Sequence, residues 1–345
     1  MPERFTADPI CFHATAAGGS HVVHDVGCED ASRHVMLHEA GSYVVAVADG
    51  HGDKRCTRSA RGSAFAVDAA VQVLSGLQGP EGASTVASKL LETWKALVNG
   101  DVEAFPLSAE ERLVLGGDGA GRMPEYLYGT TLVAALVAPW GRLVVQQGDG
   151  TFVLMGADGV YAEPVPPDER CVGNKTSSLA DADAEARMRV TYVAREEGEG
   201  ATCFVATDGI TKSFADDEDL FDFLDWVQLA SQGVPPALFG PWLQGEFEQL
   251  AGDGAGDDLS LAGVIHPLSS ELLRRIVSRR KRHELQELMA EARSRLVSLE
   301  RRRNRLEELW NAGRKDEARD YPQVQELYTK LQEQIKDCES QLSAL

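Results

Sequence analysis

The sequence lacks any apolar run approaching twenty residues, so no segment of it is predicted to cross a bilayer. Its first residues, Met1-Pro-Glu-Arg-Phe-Thr, lack the basic start and the apolar core of a signal peptide, which argues against export. The six cysteines lie far apart and form no CxxC pair, which is typical of reduced thiols and unlike a disulfide scaffold or a zinc ribbon. We therefore expect a cytoplasmic protein without a membrane partner.

Positive charge is scarce as well. The chain has 34 Lys+Arg against 54 Asp+Glu, a net charge of −20. Phosphate contacts need clustered cations, so this balance argues against a general nucleic-acid binder. The same acidity suits a protein that gathers divalent metal ions. With 345 residues, 43% of them apolar, the chain is long enough for one large domain or two smaller ones with a substantial core.

Composition and charge both change near residue 268. Residues 1–270 hold 17 basic and 40 acidic side chains, whereas residues 271–345 hold 17 and 14. Nearly all glycines and prolines come before this point, and the remainder is rich in Leu, Glu, Arg and Gln. We predict a first domain over 1–268 and a helical segment over 269–345, with Ser269 or Ser270 capping its first helix.

The first domain alternates short β-rich runs with a few stretches of helical spacing. Turn signals bound most of the runs, and the tight turn Gly148-Asp149-Gly150 predicts a hairpin between 142–146 and 151–155, and hence an antiparallel sheet. The predicted strands are 43–48, 130–137, 142–146, 151–155, 202–206 and 259–265; the predicted helices are 57–76, 84–98 and 218–230.

Four segments end or begin a predicted strand with an acid beside a glycine or a second acid. They are Glu29-Asp30, Asp49-Gly50, Asp208-Gly209 and Asp257-Asp258. One Asp-Gly alone indicates only a turn. Four such acidic segments in so acidic a domain indicate a site for a hard divalent cation, which prefers carboxylate and carbonyl oxygens and retains several waters.

The order of these motifs resembles the metal-dependent protein phosphatases of the protein phosphatase 2C family. The resemblance covers about residues 15–266, and Ser20-His21-Val22 and Asn174-Lys175-Thr176 are similar to its bacterial branch. The motifs that carry it are Glu29-Asp30, Asp49-Gly50-His51-Gly52, Gly129-Thr130-Thr131-Leu132, Gly148-Asp149-Gly150, Thr207-Asp208-Gly209 and Asp257-Asp258-Leu259-Ser260. The resemblance implies an α+β fold of the αββα type, a β-sandwich of two antiparallel sheets flanked by helices. A C-terminal helical hairpin or coiled coil is expected to follow it.

The resemblance also implies hydrolysis of phosphoserine and phosphothreonine on phosphoproteins by a water that two Mn²⁺ or Mg²⁺ ions activate. By position, Asp49 would bridge both ions and Gly50 would offer its carbonyl oxygen. Asp208 and Asp257 would complete one ion. Two cations that share a carboxylate can activate a water and clamp phosphate oxygens, so the implied roles are chemically consistent.

Four further residues receive roles from the same resemblance. Glu29 and Asp30 would hold metal-bound waters, and Asp149 matches a position that can help to bind a third ion. His51 matches the proposed general acid, a role that suits imidazole because its pKa lies near neutral pH.

The sequence departs from the family at the phosphate-binding arginine, which often lies about five residues before the first acidic pair. His24 and Asp25 occupy that region here. Lys54, Arg55 and Arg58 either substitute for it or form the solvated start of a helix. The missing arginine leaves a second function open: a catalytically weak pseudophosphatase that scaffolds a signalling complex. The complete acidic set and His51 favour the enzyme.

Leucines at mostly three- and four-residue spacing follow residue 285, and the pattern resumes at Val324 after a break near 311–322. This predicts two amphipathic helices, either as an antiparallel hairpin or as a coiled coil that binds a protein partner or a second copy.

Overall fold

The structure, a computed structural model, describes residues 8–24, 27–37, 41–116, 121–171, 175–195, 202–252 and 256–345. The chain divides into two compact units, Met1–Leu268 and Ser269–Leu345. Among the described residues, no helix combines the length and the apolar character needed to cross a membrane.

The first unit contains two five-stranded sheets in which every neighbouring pair of strands is antiparallel. The fold class is therefore as predicted. In spatial order, the first sheet contains β1 (Ile10–Ala16), β10 (Leu259–Ile265), β9 (Thr202–Ala206), β6 (Thr151–Met155) and β7 (Tyr161–Ala162); the second contains β2 (Ala31–Met36), β3 (Tyr43–Ala48), β4 (Leu132–Ala138), β5 (Gly141–Gln147) and β8 (Arg189–Ala194).

Helices cover the outer faces of both sheets. Helices α2 and α3 pack with the second sheet, and α7 and α8 pack with the first. The helices of this unit are α1 (Gly19–His24), α2 (Ser59–Ser75), α3 (Ala83–Ala104), α4 (Ala109–Gly116), α5 (Ala184–Arg187), α6 (Asp208–Lys212), α7 (Asp217–Ala230) and α8 (Pro236–Gly252).

Strand β3 shows how the sequence produces this layering. Val45 and Val47 join the core between the sheets, whereas Val44, Ala46 and Ala48 face α2 and α3. Successive side chains of a strand point to opposite faces, so a strand buried on both faces needs a continuous apolar run. That run, Tyr43 to Ala48, is what the sequence shows.

The six predicted strands are all present, with ends that differ by no more than two residues. The predicted hairpin is wrong, because β5 and β6 belong to different sheets. The turn at 148–150 carries the chain from one sheet to the other, and Gly148 has φ of +94°. A Cβ on Gly150 would lie 2.7 Å from the carbonyl oxygen of Ala206. Glycine is required at this crossing just as it is in a hairpin turn, so the turn signal does not distinguish the two.

The second unit contains two helices, α9 (Ser270–Asn311) and α10 (Tyr321–Leu342). Ser269 caps α9 as predicted, its Oγ accepting a hydrogen bond of 3.1 Å from the N–H of Leu272. The helices run antiparallel: Arg293 pairs with Glu339 and Arg302 with Asp320, at 3.0 and 3.1 Å. Of the two predicted arrangements, the chain forms the helical hairpin.

Candidate functional site

The predicted acidic residues all lie at one end of the sandwich. The register pairs the last residue of β3 with the first residue of β2, and the last residue of β9 with Leu261 near the start of β10. The loops that leave β3 and β9 and those that enter β2 and β10 therefore meet. They line a cleft of about 800 Å³ whose walls include Glu29, Asp49, Gly50, His51, Asp149, Asp208 and Asp257.

The backbone of Asp49 is fixed by two threonines at the start of β4. Its N–H donates to Thr131 Oγ1 at 3.0 Å, and its carbonyl oxygen accepts from Thr130 Oγ1 and from the N–H of Thr131, both at 2.8 Å. These bonds use the main-chain groups of Asp49 and leave its carboxylate free to face the cleft. The Gly129-Thr130-Thr131 motif is thus a support for Asp49.

Two positions of the same motifs require glycine, because neighbouring atoms lie too close for a side chain. A Cβ on Gly50 would lie 2.6 Å from the carbonyl oxygen of Glu29, and one on Gly129 would lie 2.7 Å from Cδ2 of His51. The N–H of His51 donates to the carbonyl oxygen of Gly129 at 3.0 Å. Glycine at these positions brings Glu29 beside the loop after β3 and leaves room for the imidazole.

The two acids before β2 occupy different environments. Glu29 lines the cleft, and its Oε1 accepts a hydrogen bond of 2.5 Å from Ser59 Oγ. Asp30 is buried behind the cleft wall, and its Oδ2 accepts from Thr207 Oγ1 at 2.8 Å. Asp30 therefore belongs to the layer that supports the cleft.

The two acids of the last pair, Asp257 and Asp258, also occupy different environments. Asp257 lines the cleft with a side chain that is 49% exposed. Asp258 is buried and accepts from the N–H groups of Gly18 and Glu29, at 2.8 and 2.7 Å. Its Oδ1 also lies 2.8 Å from Nδ1 of His21. Asp258 therefore ties the segment before β2 to the start of β10.

Mutual repulsion and burial perturb the cleft carboxylates. Burial, and after it the charges of Asp30, Asp208, Asp257 and Asp149, together raise the pKa of Asp49 to about 10. Burial also raises the pKa of Asp208, against a hydrogen bond from Lys212 that lowers it. Converging carboxylates with little compensating charge form an oxygen donor set that fits hard divalent cations.

The basic residues after the metal loop do not share one environment. Arg58 is held by Glu111, with Nε 2.6 Å from Oε1, by the hydroxyl of Tyr128 at 2.8 Å and by the carbonyl oxygen of Phe105 at 2.9 Å. Arg55 lines the cleft but pairs with Asp53. Arg58 is thus neither the solvated helix start nor a cleft residue, because its partners lie on α3, α4 and the turn before β4.

Sequence reasoning gave no site role to several residues that line the cleft. They are His21, Arg170, Lys175, Arg187 and Lys212. A signal existed for Lys212 alone, which follows Asp208 by four residues and so lies one helical turn away. Arg170 and Lys175 reach the cleft from segments outside the named helices and strands, and His21 and Arg187 from the short helices α1 and α5. No sequence pattern places these four residues at the cleft. Asp25 lies outside the described residues.

Comparison with known proteins agrees with this arrangement. The family model for protein phosphatase 2C matches residues 17–237. No curated protein matches the chain significantly.

Several solved structures share the fold. PppA, described as a key regulatory component of T6SS in Pseudomonas aeruginosa, is 18% identical; the match covers 76% of this chain and 99% of PppA, with a TM-score of 0.50. A bacterial serine phosphatase is 14% identical, with 75% and 98% of the two chains covered and a TM-score of 0.50. The catalytic domain of PstP in complex with two manganese ions is 17% identical, with 75% and 98% covered and a TM-score of 0.47.

Proposed function

The chain belongs to the protein phosphatase 2C family, and from this premise we propose that it hydrolyses phosphoserine and phosphothreonine on phosphoproteins with two divalent ions held in its cleft. The observation that carries this proposal is the carboxylate cluster, in which Asp49 faces four other acids and has a strongly raised pKa. Such a cluster is costly for the folded protein unless cations neutralise it. Membership of the family makes the chain a serine/threonine protein phosphatase.

We assign the ion ligands from the cleft lining. Asp49, the carbonyl oxygen of Gly50, Asp208 and Asp257 would hold Mn²⁺ or Mg²⁺, and Asp149 could contribute to a third ion. Glu29 would accept hydrogen bonds from water around the ions. Asp30, which the resemblance gives the same role, is buried behind the cleft wall and would instead support the wall through Thr207. When bound, the ions supply a water nucleophile at neutral pH and neutralise charge on the phosphate oxygens.

Groups of the chain itself would orient the ion ligands and protonate the leaving group. Thr130 and Thr131 fix the backbone of Asp49, so the ligand set is rigid before an ion binds. His51 lines the cleft, where its imidazole could give a proton to the departing serine or threonine oxygen. His51 and the candidate ion ligands line the same cleft, so the described residues favour the enzyme over the catalytically weak scaffold.

The proposal is tested with a phosphoserine peptide in the presence of Mn²⁺ or of a chelator. We expect hydrolysis only with the metal, and a fall of several orders of magnitude in Asp208→Asn, which loses a candidate ion ligand. Asp68→Asn is the matched control, since this residue lies on α2 outside the cleft and pairs with Arg33. Hydrolysis that persists in the chelator, or near-normal turnover in metal-bound Asp208→Asn, would contradict the proposal.

We further infer that residues 269–345 form an interaction segment for a protein partner or a second copy. The segment is a compact unit of its own, and Val297 and Leu327 are 67% and 48% exposed. The six cysteines are all free, which supports assignment to the reducing cytoplasm.

A further inference from the structure

Among the described residues, five Lys and Arg side chains line the cleft. Three of them are arginines paired with acids that are not candidate ion ligands. Nε of Arg55 lies 3.0 Å from Asp53 Oδ1, Nε of Arg170 lies 2.8 Å from Asp168 Oδ1, and Nε of Arg187 lies 2.6 Å from Asp183 Oδ2. Each pair joins residues two or four positions apart in sequence. Each arginine is therefore held by an acid of its own local segment.

The other two basic residues are lysines, and they differ in their partners. Lys175 is exposed and has no ion pair among the described residues. Lys212 ends α6, one turn after Asp208, and its Nζ contacts Asp208 Oδ2 and lies 3.6 Å from Asp257 Oδ2. Of the basic residues described along the cleft, Lys212 is the one paired with candidate ion ligands.

We propose that Lys212 competes with a divalent ion for Asp208 and Asp257 and, once displaced, binds the substrate phosphate in place of the arginine that the N-terminal segment lacks. This inference rests on the proposed function, because it assumes that the two carboxylates bind an ion.

The charges require this exchange. A divalent ion held by Asp208 and Asp257 takes both acceptors of the ammonium group and repels it. The side chain of Lys212 is 58% exposed, and its four-carbon stem is flexible, so Nζ can move into the cleft without disturbing α6. In the ion-loaded cleft, the substrate phosphate is the anion that the ammonium group of Lys212 can pair with. Lys212 would thus hold the acids together before ions bind and hold the phosphate afterwards.

Two measurements on the full chain test the exchange, and neither requires turnover. The first is calorimetric titration of metal-free protein with Mn²⁺. Lys212→Met keeps the length of the side chain and removes its charge, so we expect Mn²⁺ to bind about two- to tenfold more tightly, as for loss of one partly exposed ion pair. Lys175→Met is the matched control and should leave Mn²⁺ affinity unchanged.

The second measurement is binding of inorganic phosphate to the Mn²⁺-loaded proteins. We expect Lys212→Met to weaken phosphate binding about tenfold, consistent with the loss of one charge-assisted contact. Lys212→Arg should restore most of it. Tighter Mn²⁺ binding together with weaker phosphate binding is a combination that a purely structural role of Lys212 would not produce.

The outcomes separate this inference from the proposed function. If wild-type protein binds no Mn²⁺, the proposed function and this inference both fail. If wild-type protein binds Mn²⁺ and hydrolyses the phosphopeptide, but Lys212→Met has unchanged affinity for either Mn²⁺ or phosphate, the inference about Lys212 alone is overturned.

Discussion

The carboxyl group of Asp49 suits ion binding but disfavours folding of the metal-free protein. Burial and four neighbouring acids raise its pKa to about 10, far above the ordinary value of 3.8. A carboxyl whose pKa is raised on folding contributes stability that is complete below its unfolded pKa and is lost as the pH rises through the folded value. Near pH 7.5, the metal-free protein therefore has an ionisable group that opposes folding.

Replacing Asp49 by Asn should consequently have effects of opposite sign with and without metal. In a chelator at pH 7.5, we expect Asp49→Asn to raise the free energy of unfolding by about 1–3 kcal/mol, because folding of the wild type requires the Asp49 carboxyl to take up a proton and Asn does not have this cost. With saturating Mn²⁺, the wild type should be the more stable protein, since only its folded state has the full ligand set. Urea denaturation in the two buffers measures both values. A variant less stable than wild type in the chelator would contradict the electrostatic account.

His51 allows a second test at this scale. Phosphoserine has a poor leaving group that needs a proton, whereas an activated aryl phosphate does not. We expect His51→Ala to slow phosphoserine peptide hydrolysis by about 10²- to 10⁴-fold and to slow aryl phosphate hydrolysis much less. Mn²⁺ affinity, measured by titration, should remain near the wild-type value. Equal losses on the two substrates would remove His51 from the acid role.

The position of the acids at one cleft could be predicted from the sequence, whereas the position of the cations could not. The acids that the motifs pointed to lie in or directly behind one cleft, since each follows or precedes a strand and the register brings those strand ends together. Arg170 reaches the same cleft from an irregular segment, and Arg187 from the four-residue helix α5. No periodicity constrains such segments, so their contacts depend on tertiary structure that a local pattern does not contain.

Among the elements, the start of α2 is fixed by a buried ionic network. The side chain of Arg58 is 10% exposed, and its acidic partners Glu111 and Asp101 are 13% and 4% exposed. Glu111 belongs to α4 and Asp101 to α3, so one guanidinium connects three helices. Its hydrogen bond to Glu111 is the main cause of the raised pKa of Arg58 and of the lowered pKa of Glu111, which is about 2.

Removing this arginine should destabilise the first unit strongly. We expect Arg58→Met to lower the free energy of unfolding by about 3–5 kcal/mol, because it removes the arginine partner of the largely buried Glu111 and one of the two arginines that pair with Asp101. Arg33→Met is the matched control. The Arg33–Asp68 pair is 49% and 37% exposed, and its loss should cost less than about 1 kcal/mol. Chemical denaturation of both variants measures the difference. Similar losses in the two would show that the network around Arg58 contributes no more than a surface pair.

Elements with continuous or strictly spaced apolar residues could be predicted, and the others could not. Strands β3 and β4 are buried on both faces and read as unbroken apolar runs. Strand β1 is mixed because His13 and Thr15 face the edge strand β2, where they contact His34 and Ser32. Strand β7 has two residues, too few for any period. Whether the chain forms a hairpin or crosses to the other sheet at 148–150 depends on long-range packing, which a turn motif does not determine.

On the scale of the whole molecule, the two units differ in charge as well as in structure. Residues 1–270 contribute a net charge of −23 and residues 271–345 a net of +3. In the part of the chain that the structure describes, the ten strands, the acidic motifs and the cleft lining all lie in the first unit. The second unit buries Leu331 and Cys338 in a two-helix hairpin, and an isolated pair of helices has limited apolar surface to bury.

Cutting the chain after residue 268 should therefore leave a folded domain that binds Mn²⁺ with unchanged affinity. Strand β10 ends at Ile265, so the cut keeps both sheets complete. If residues 269–345 mediate self-association, light scattering should give the full-length protein a mass well above that of one chain, while the truncated form stays monomeric. Circular dichroism and Mn²⁺ titration of the truncated form complete the test. Unfolding of that form would place the boundary near 268 inside one cooperative domain, and equal oligomeric states of the two proteins would leave the hairpin to bind a different partner or none.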